Sequence, residues 1–332
     1  MHRKCSKLIS LILAAAVSLS LAGCISVPDY SLSSTGDSNA VPTAPSASQT
    51  AYVRSSFDIN KNAYFAMLSE TEMNAYSLIY EGLIAGNTEI DCPIRLDSDQ
   101  LAKAMDAVLN DHPEIFWVDN NYSYSYDPED GNIKEITFTF YDFADTPEKF
   151  EAAKSQFEAA AASIIAVANE YSTIVERELY IHDYICENTV YDENAPYHQS
   201  AYSTIVLHRS VCAGYARSFQ YLMQRAGVTC YYVTGSTEKT VEGSGDSGSH
   251  SWNMVLINGD FYNVDCLWDD TASDSYGSPI YPFFNIPDSE MVNHRRIQMA
   301  LRLPSCTATE CRYSNQFGPT IEADSIVFAD DE

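Results

Sequence analysis

The sequence predicts an α+β protein, with helical and hairpin-forming segments falling in separate blocks. Three stretches carry that class. "AGYARSFQYLMQRAG" sets Ala216, Phe219, Leu222 and Met223 on one helical face and closes on Gly227. "HSWNMVLINGDFYNVDCLWDD" reads as two strands joined at Asn258-Gly259, a dipeptide that supplies the positive φ angles of a two-residue hairpin turn. "YSYSYDPEDGNIKEITFTFY" alternates on both sides of an Asp-Pro…Gly-Asn turn and predicts a second hairpin.

The chain begins with a basic head, "MHRKCSK", and the apolar run "LISLILAAAVSLSLAG". That run has signal-peptide length. Leu21, Ala22 and Gly23 ahead of Cys24 look like a lipobox, the signal of bacterial lipoproteins. The resemblance implies cleavage before Cys24, diacylglycerol on its sulfur, and a lipid anchor on the extracytoplasmic face of the cell membrane. Residues 25–50 are rich in Ser, Thr, Ala and Pro and cannot bury enough surface to fold. They are read as a tether. The expected organisation is therefore a signal peptide over 1–23, a tether over 24–51, an N-terminal α+β region over 52–145 and a catalytic domain over 146–332.

Within the N-terminal region, "TEMNAYSLIYEGLIAG" has helical spacing with Gly86 as its stop, and "LDSDQLAKAMDAVLND" is a helix entered at Asp97 or Ser98. Pro113 ends the latter, and a short strand is expected to reach Trp117. His112 sits at that helix end, where capping is the expected role. The region is read as either a cover over the substrate side or an extension of the core. Thr146-Pro147 opens the next helix, and Ser172-Thr173 a further one that carries Ile174, Leu179, Ile185 and Cys186. His182 in it is read as structural. "EGSGDSGS" is read as a flexible loop, and "NHRRIQMALRL" as a basic helical stretch with a solvated face.

The chain has 332 residues and a formal charge of −27. Nucleic acid is excluded as a partner, because phosphate demands a basic surface. Nine cysteines are present. With Cys5 lost and Cys24 lipidated, seven remain, an odd number that leaves at least one thiol unpaired. Cys306 and Cys311 are close enough for a local bridge. Cys186 and Cys230 lie in apolar contexts and are read as buried thiols.

Three residues with chemistry stand on this frame: Cys212, His250 and Asp265. Cys212 falls in the first turn of its helix. There the exposed amide N–H groups and the helix dipole favour a thiolate, which can attack a carbonyl as alanine cannot. Pairing about the Asn258-Gly259 turn sets His250 opposite position 267, so His250 and Asp265 are diagonal neighbours on one face. That suits a carboxylate orienting an imidazole.

"SVCAGYARSFQYLMQRAGV", "YYVTG" and "HSWNMVLINGDFYNVDCLWDD", in that order, resemble the core of the transglutaminase-like superfamily. The resemblance covers about Ser172 to Asp270. It implies a papain-like core, with a nucleophile helix packed on an antiparallel sheet; the N-terminal α+β region lies outside these motifs and is read as an extension of that core. It also implies that Cys212 is the nucleophile, His250 the general base and acid, and Asp265 the orienting carboxylate. Tyr202 and Tyr215 are the side-chain candidates for the oxyanion site, and Trp252 a candidate groove residue. The implied activity is attack on a peptide or amide carbonyl through a thioester. Hydrolysis by a protease or amidase leads, ahead of a cross-linking or deamidating transglutaminase and of an inactive surface-binding lipoprotein. The expected partner is a peptide or protein substrate, with cell-wall peptide or surface protein suggested by location. No cofactor and no metal are expected. The zinc alternative of Cys212, His250, Cys266 and an Asp fails on strand alternation, which turns Cys266 away from Asp265.

Overall fold

A computed structural model describes residues 54–238 and 248–327. The predicted signal peptide, Cys24, the tether and most of "EGSGDSGS" lie outside the described residues. Helices and strands alternate irregularly, and the α+β class with its papain-like core holds.

The N-terminal region contains α1 (Glu70–Ile84), β1 (Glu89–Asp91), α2 (Ser98–Asp111), β2 (Val118–Tyr126) and β3 (Ile133–Phe140). Both helices start where the sequence places them. Ser69 and Asp97 each form a capping box, with Glu72 and Gln100 returning the bond three residues on. Gly86 takes a positive φ of 78° just past α1. β2 and β3 form the expected hairpin and β1 adds to its far edge, giving a three-stranded antiparallel sheet in the order β1-β3-β2. The strand expected to reach Trp117 instead begins at Val118.

α3 (Pro147–Ala168) is capped by Thr146 with Pro147 at its first position, and α4 (Ile174–Asn188) by a Thr173 capping box. Then come β4 (Val190–Tyr191), α5 (Ala201–Ile205), β5 (Arg209–Ser210), α6 (Cys212–Arg225), β6 (Cys230–Thr237), β7 (Gly248–Ile257) and β8 (Asp260–Val264). α7 (Cys266–Tyr276), β9 (Phe284–Ile286), β10 (His294–Arg296) and α8 (Tyr313–Gln316) complete the chain. The main sheet is antiparallel in the order β10-β6-β7-β8-β9.

α6 lies on this sheet. Its face of Ala216, Phe219, Leu222 and Met223 is buried, as are Cys230, Met254 and Val255 of the strands beneath. The β7–β8 register is the expected one, with Ile257 opposite Asp260 and Asn253 opposite Val264. Asn258 and Gly259 both take positive φ, 54° and 98°, as the hairpin turn requires.

Three expectations are corrected. "NHRRIQMALRL" is not a solvated helix: it is β10 followed by a 3₁₀ turn over Gln298–Arg302, and the His294 side chain is fully buried. Strand pairing with β6 wins over the local helical pattern. Asp265 does not end a strand. Its backbone turns out of β8, and it becomes the N-cap of α7, a helix the sequence pattern did not announce. Cys306 and Cys311 are both free thiols. The Cys306 sulfur faces the Arg296 guanidinium at 3.6 Å, and the Cys311 thiol meets Tyr262, so the two are held by different neighbours.

Candidate active site

Cys212 is the first residue of α6, and the chain is held there by a short backbone clamp. The His198 carbonyl accepts from the Ser210 hydroxyl at 2.6 Å and from the Val211 N–H at 3.2 Å. Gly214 makes the clamp possible. A Cβ at that position would meet Ser210 Oγ at 1.8 Å and the His198 carbonyl oxygen at 2.8 Å. The clamp sets the 198–199 segment against the helix start, and Gln199 lines the same cleft as Cys212.

His250 enters from β7, opposite Gly235 of β6. Its Nε2 lies 2.5 Å from Asp265 Oδ2. With that nitrogen taken, Nδ1 is the one left to serve Cys212, which lines the same cleft as His250. Burial works against a charged imidazole here. The Asp265 carboxylate and the Cys212 sulfur outweigh it and push the His250 pKa up to about 10. Burial likewise opposes the Asp265 charge, and His250 and His294 overcome it, holding this carboxyl well below the usual carboxylate range.

Asp265 is fully engaged. Its Oδ1 accepts from the Trp268 N–H at 3.0 Å, capping α7, while Oδ2 faces both His250 and His294 Nε2, the latter at 3.1 Å. His294 Nδ1 lies 2.8 Å from the Val292 carbonyl. A neutral His294 therefore has two acceptors and one proton to share. Burial and the nearby His250 charge hold its pKa below the usual value, despite the help of Asp265. Trp252, Trp268 and Phe283 pack around these two imidazoles.

Cys212 at the start of α6, His250 on β7 and Asp265 just past β8 all fall within one matched stretch. Residues 159–266 match the transglutaminase-like superfamily. Residues 159–266 form a transglutaminase-like domain. The matched span begins earlier than the sequence motifs and ends just past Asp265, leaving His294 outside it.

Among solved structures, a TGase crystal structure is similar at 15% identity over 54% of this chain and 50% of that one, with a TM-score of 0.30. A cysteine-protease candidate from Cytophaga hutchinsonii gives 15% identity, 56% and 61% coverage, and a TM-score of 0.31. A protease candidate from Parabacteroides distasonis gives 11% identity, 43% and 35% coverage, and 0.26. The aligned part thus spans between about a third and three-fifths of each of those chains. No curated protein matches.

The other expected site residues of the transglutaminase-like domain fall elsewhere. Tyr202 and Tyr215 do not line the cleft: the Tyr202 hydroxyl donates to Gln156, and Tyr215 donates to Asp270 and to the Thr189 carbonyl. Both hydroxyls are spent on holding elements together. Trp252 also stays out of the cleft. It is buried beside the His250 ring and donates its indole N–H to Asn263.

His182 is structural, as expected. Its ring is boxed between Asp183, Asp269 and Cys186 and ties α4 to α7. His112 caps α2 with its backbone N–H, while its ring bonds Glu114 and the Tyr76 hydroxyl. His208, with a φ of 58°, stays away from the cleft.

The zinc alternative gains nothing. Cys266 is buried against Cys186, whose thiol donates to the Cys266 carbonyl. His250, Asp265 and His294 offer ligand atoms within 4.8 Å of one another. However, their 2.5 and 3.1 Å contacts are hydrogen-bond separations. Two ligands of one tetrahedral zinc stand about 3.3 Å apart, given metal–ligand bonds of about 2.0 Å. These groups bond each other rather than encircle an ion.

Sequence reasoning missed His294, Gln199, Asp106 and Arg217, all near the reacting pair. His294 had no local signal, because it arrives through pairing of β10 with a distant strand. Gln199 could have been suspected from the turn-forming "NAPYHQ" ahead of α5. Asp106 and Arg217 lay on helices whose polar residues look alike in sequence.

Proposed function

We propose that this chain is a cysteine enzyme that attacks peptide or amide carbonyls, with hydrolysis as the main outcome. The observation that carries the reading is that Cys212 and His250 line one cleft at the start of α6, with the His250 ring bonded to Asp265 behind it.

In this mechanism the Cys212 sulfur adds to the carbonyl carbon and the His250 Nδ1 proton passes to the leaving amine. The C–N bond breaks, leaving a thioester on Cys212. His250 then takes a proton from water as its oxygen adds to the thioester, and the thiolate leaves. A lysine amine in place of water would give a cross-link. The oxyanion is met by the Cys212 N–H at the helix start and by a donor from the cleft wall, for which Gln199, the residue after the clamped His198 carbonyl, is our candidate. Such a donor is worth about 3 kcal/mol of transition-state stabilisation. Asp265 keeps the ring oriented and its Nε2 protonated.

We place the enzyme on the outer face of the membrane through a lipid on Cys24. Among the described residues no helix is long and apolar enough to cross a bilayer. Cys24→Ala would then shift the protein from the membrane fraction to the soluble one.

The deciding experiment compares purified enzyme with Cys212→Ala on a cell-surface extract, followed by peptide mass spectrometry. New peptide termini that depend on Cys212 support hydrolysis. Gln–Lys isopeptides would move the reading to cross-linking, and Gln-to-Glu conversion to deamidation. If the two samples match, the enzyme reading fails and a binding role takes its place.

A further inference from the structure

The cleft that holds Cys212 and His250 has walls of two origins. α6, β6 and β7 supply one side. The other includes α2 of the N-terminal region, whose Asp106, Leu109 and Asn110 face the cleft at the i, i+3, i+4 spacing of one helical face. Nothing in the family resemblance assigns a role to this helix.

Besides the reacting pair, Asp106 and Arg217 are the charged residues that line the cleft among the described residues. Arg217 is engaged: it donates Nη1 to the Leu109 carbonyl, and its guanidinium lies 4.5 Å over the Tyr232 ring. Asp106 is not. It is half-buried, and among the described residues no hydrogen-bond donor or cation pairs with its carboxylate. Burial pushes its pKa up to about 6, which leaves it charged at neutral pH.

A desolvated carboxylate without a partner costs stability, and the fold offers nothing to offset it. A cation arriving with the substrate would. Leu109, Val211 and Ile297 line the same cleft and suit the methylene stem of a long basic side chain.

We propose that Asp106 is a specificity-determining residue that pairs with a Lys or Arg side chain of the acyl-donor peptide. The substrates are then peptides with a basic residue beside the bond that Cys212 attacks. This rests on the enzyme reading above. It also gives the N-terminal region a function: α2 completes the substrate site.

The test uses three methanethiosulfonates on the whole protein at pH 7.5: a trimethylammonium reagent and a sulfonate reagent of similar size, and the smaller neutral methyl reagent as control. In each case the Cys212 thiolate displaces methanesulfinate and forms a mixed disulfide, read as the mass of the Cys212 peptide. The expected result is faster modification by the cationic reagent, with the cationic-to-anionic rate ratio falling about tenfold or more in Asp106→Asn.

Asp106→Glu should keep most of the preference. Asp91→Asn, an exposed carboxylate of β1, should keep all of it. The neutral reagent should react equally with every variant, which also reports an intact fold. An unchanged ratio in Asp106→Asn would overturn the proposal, because the acidic surface would then explain the preference. A preference for the sulfonate would overturn it in favour of Arg217. In both cases fast neutral labelling leaves the enzyme reading standing. Failure of all three reagents to modify Cys212 sinks both.

Discussion

The Asp265 carboxylate faces two imidazoles on one oxygen and caps α7 with the other, so it has little freedom to rotate. His294 therefore acts as a positioning residue, fixing the group that fixes His250. A Gln can present an N–H near the place of Nε2, and a Met can fill the same space without one. His294→Gln should accordingly keep most of the Cys212 alkylation rate, while His294→Met loses about tenfold, the worth of a hydrogen bond to a charged group. Equal losses in the two would reduce His294 to packing. A second prediction concerns pH. The His250 pKa is raised from 6.5 to about 10, so its stabilising contribution is complete below about pH 6.5 and lost as pH climbs through about 10. The gap in urea midpoint between the wild type and His250→Gln should narrow across that window. A gap that stays constant from pH 6.5 to 10 would refute the assignment.

The start of α6 depends on a glycine because two chain segments meet there. Gly214 sits over the Ser210 hydroxyl and the His198 carbonyl, both too close for a methyl group. Gly214→Ala is expected to cost about 1–3 kcal/mol through overpacking, and to push Gln199 out of line with Cys212. The variant should be folded at 20 °C, with Cys212-dependent cleavage reduced more than its stability. Adding Ser210→Ala should not restore activity, because the backbone carbonyl of His198 remains in the way. Full recovery in that double variant would mean that the clamp is dispensable. The same element shows why the helix was legible in sequence and the clamp was not. Apolar spacing and the terminal glycine are local signals, whereas the approach of 198–199 to the helix start is a contact across a loop.

The N-terminal region is joined to α6 and β6 by polar bonds as well as apolar packing. The Tyr64 hydroxyl donates to the Tyr232 carbonyl at 2.6 Å, Gln220 donates to the Asn110 carbonyl at 2.8 Å, and Arg217 donates to the Leu109 carbonyl. Buried apolar side chains drawn from both regions, from Ala63 to Ile326, form one continuous cluster. Such coupling predicts a single cooperative thermal transition for the whole chain. A fragment beginning at 146 should expose this interface and fail to give a native-like melt. Two resolved transitions in calorimetry, or a stable fragment with wild-type alkylation of Cys212, would contradict it.

What could be read without coordinates was set by short-range physics. Turn chemistry at Asn258-Gly259 determined the hairpin register, which brings the ends of β7 and β8 near His250 and Asp265 to the same side. Helical spacing and a terminal glycine determined that Cys212 opens a helix. What needed the folded chain was every group brought in by pairing between distant segments: His294 through β10, Gln199 through the clamp, Asp106 through α2. It also revealed that Tyr202 and Tyr215 were already spent. A hydroxyl's partner and a strand's neighbour depend on which segments the core brings together, and no local pattern of residues records that choice.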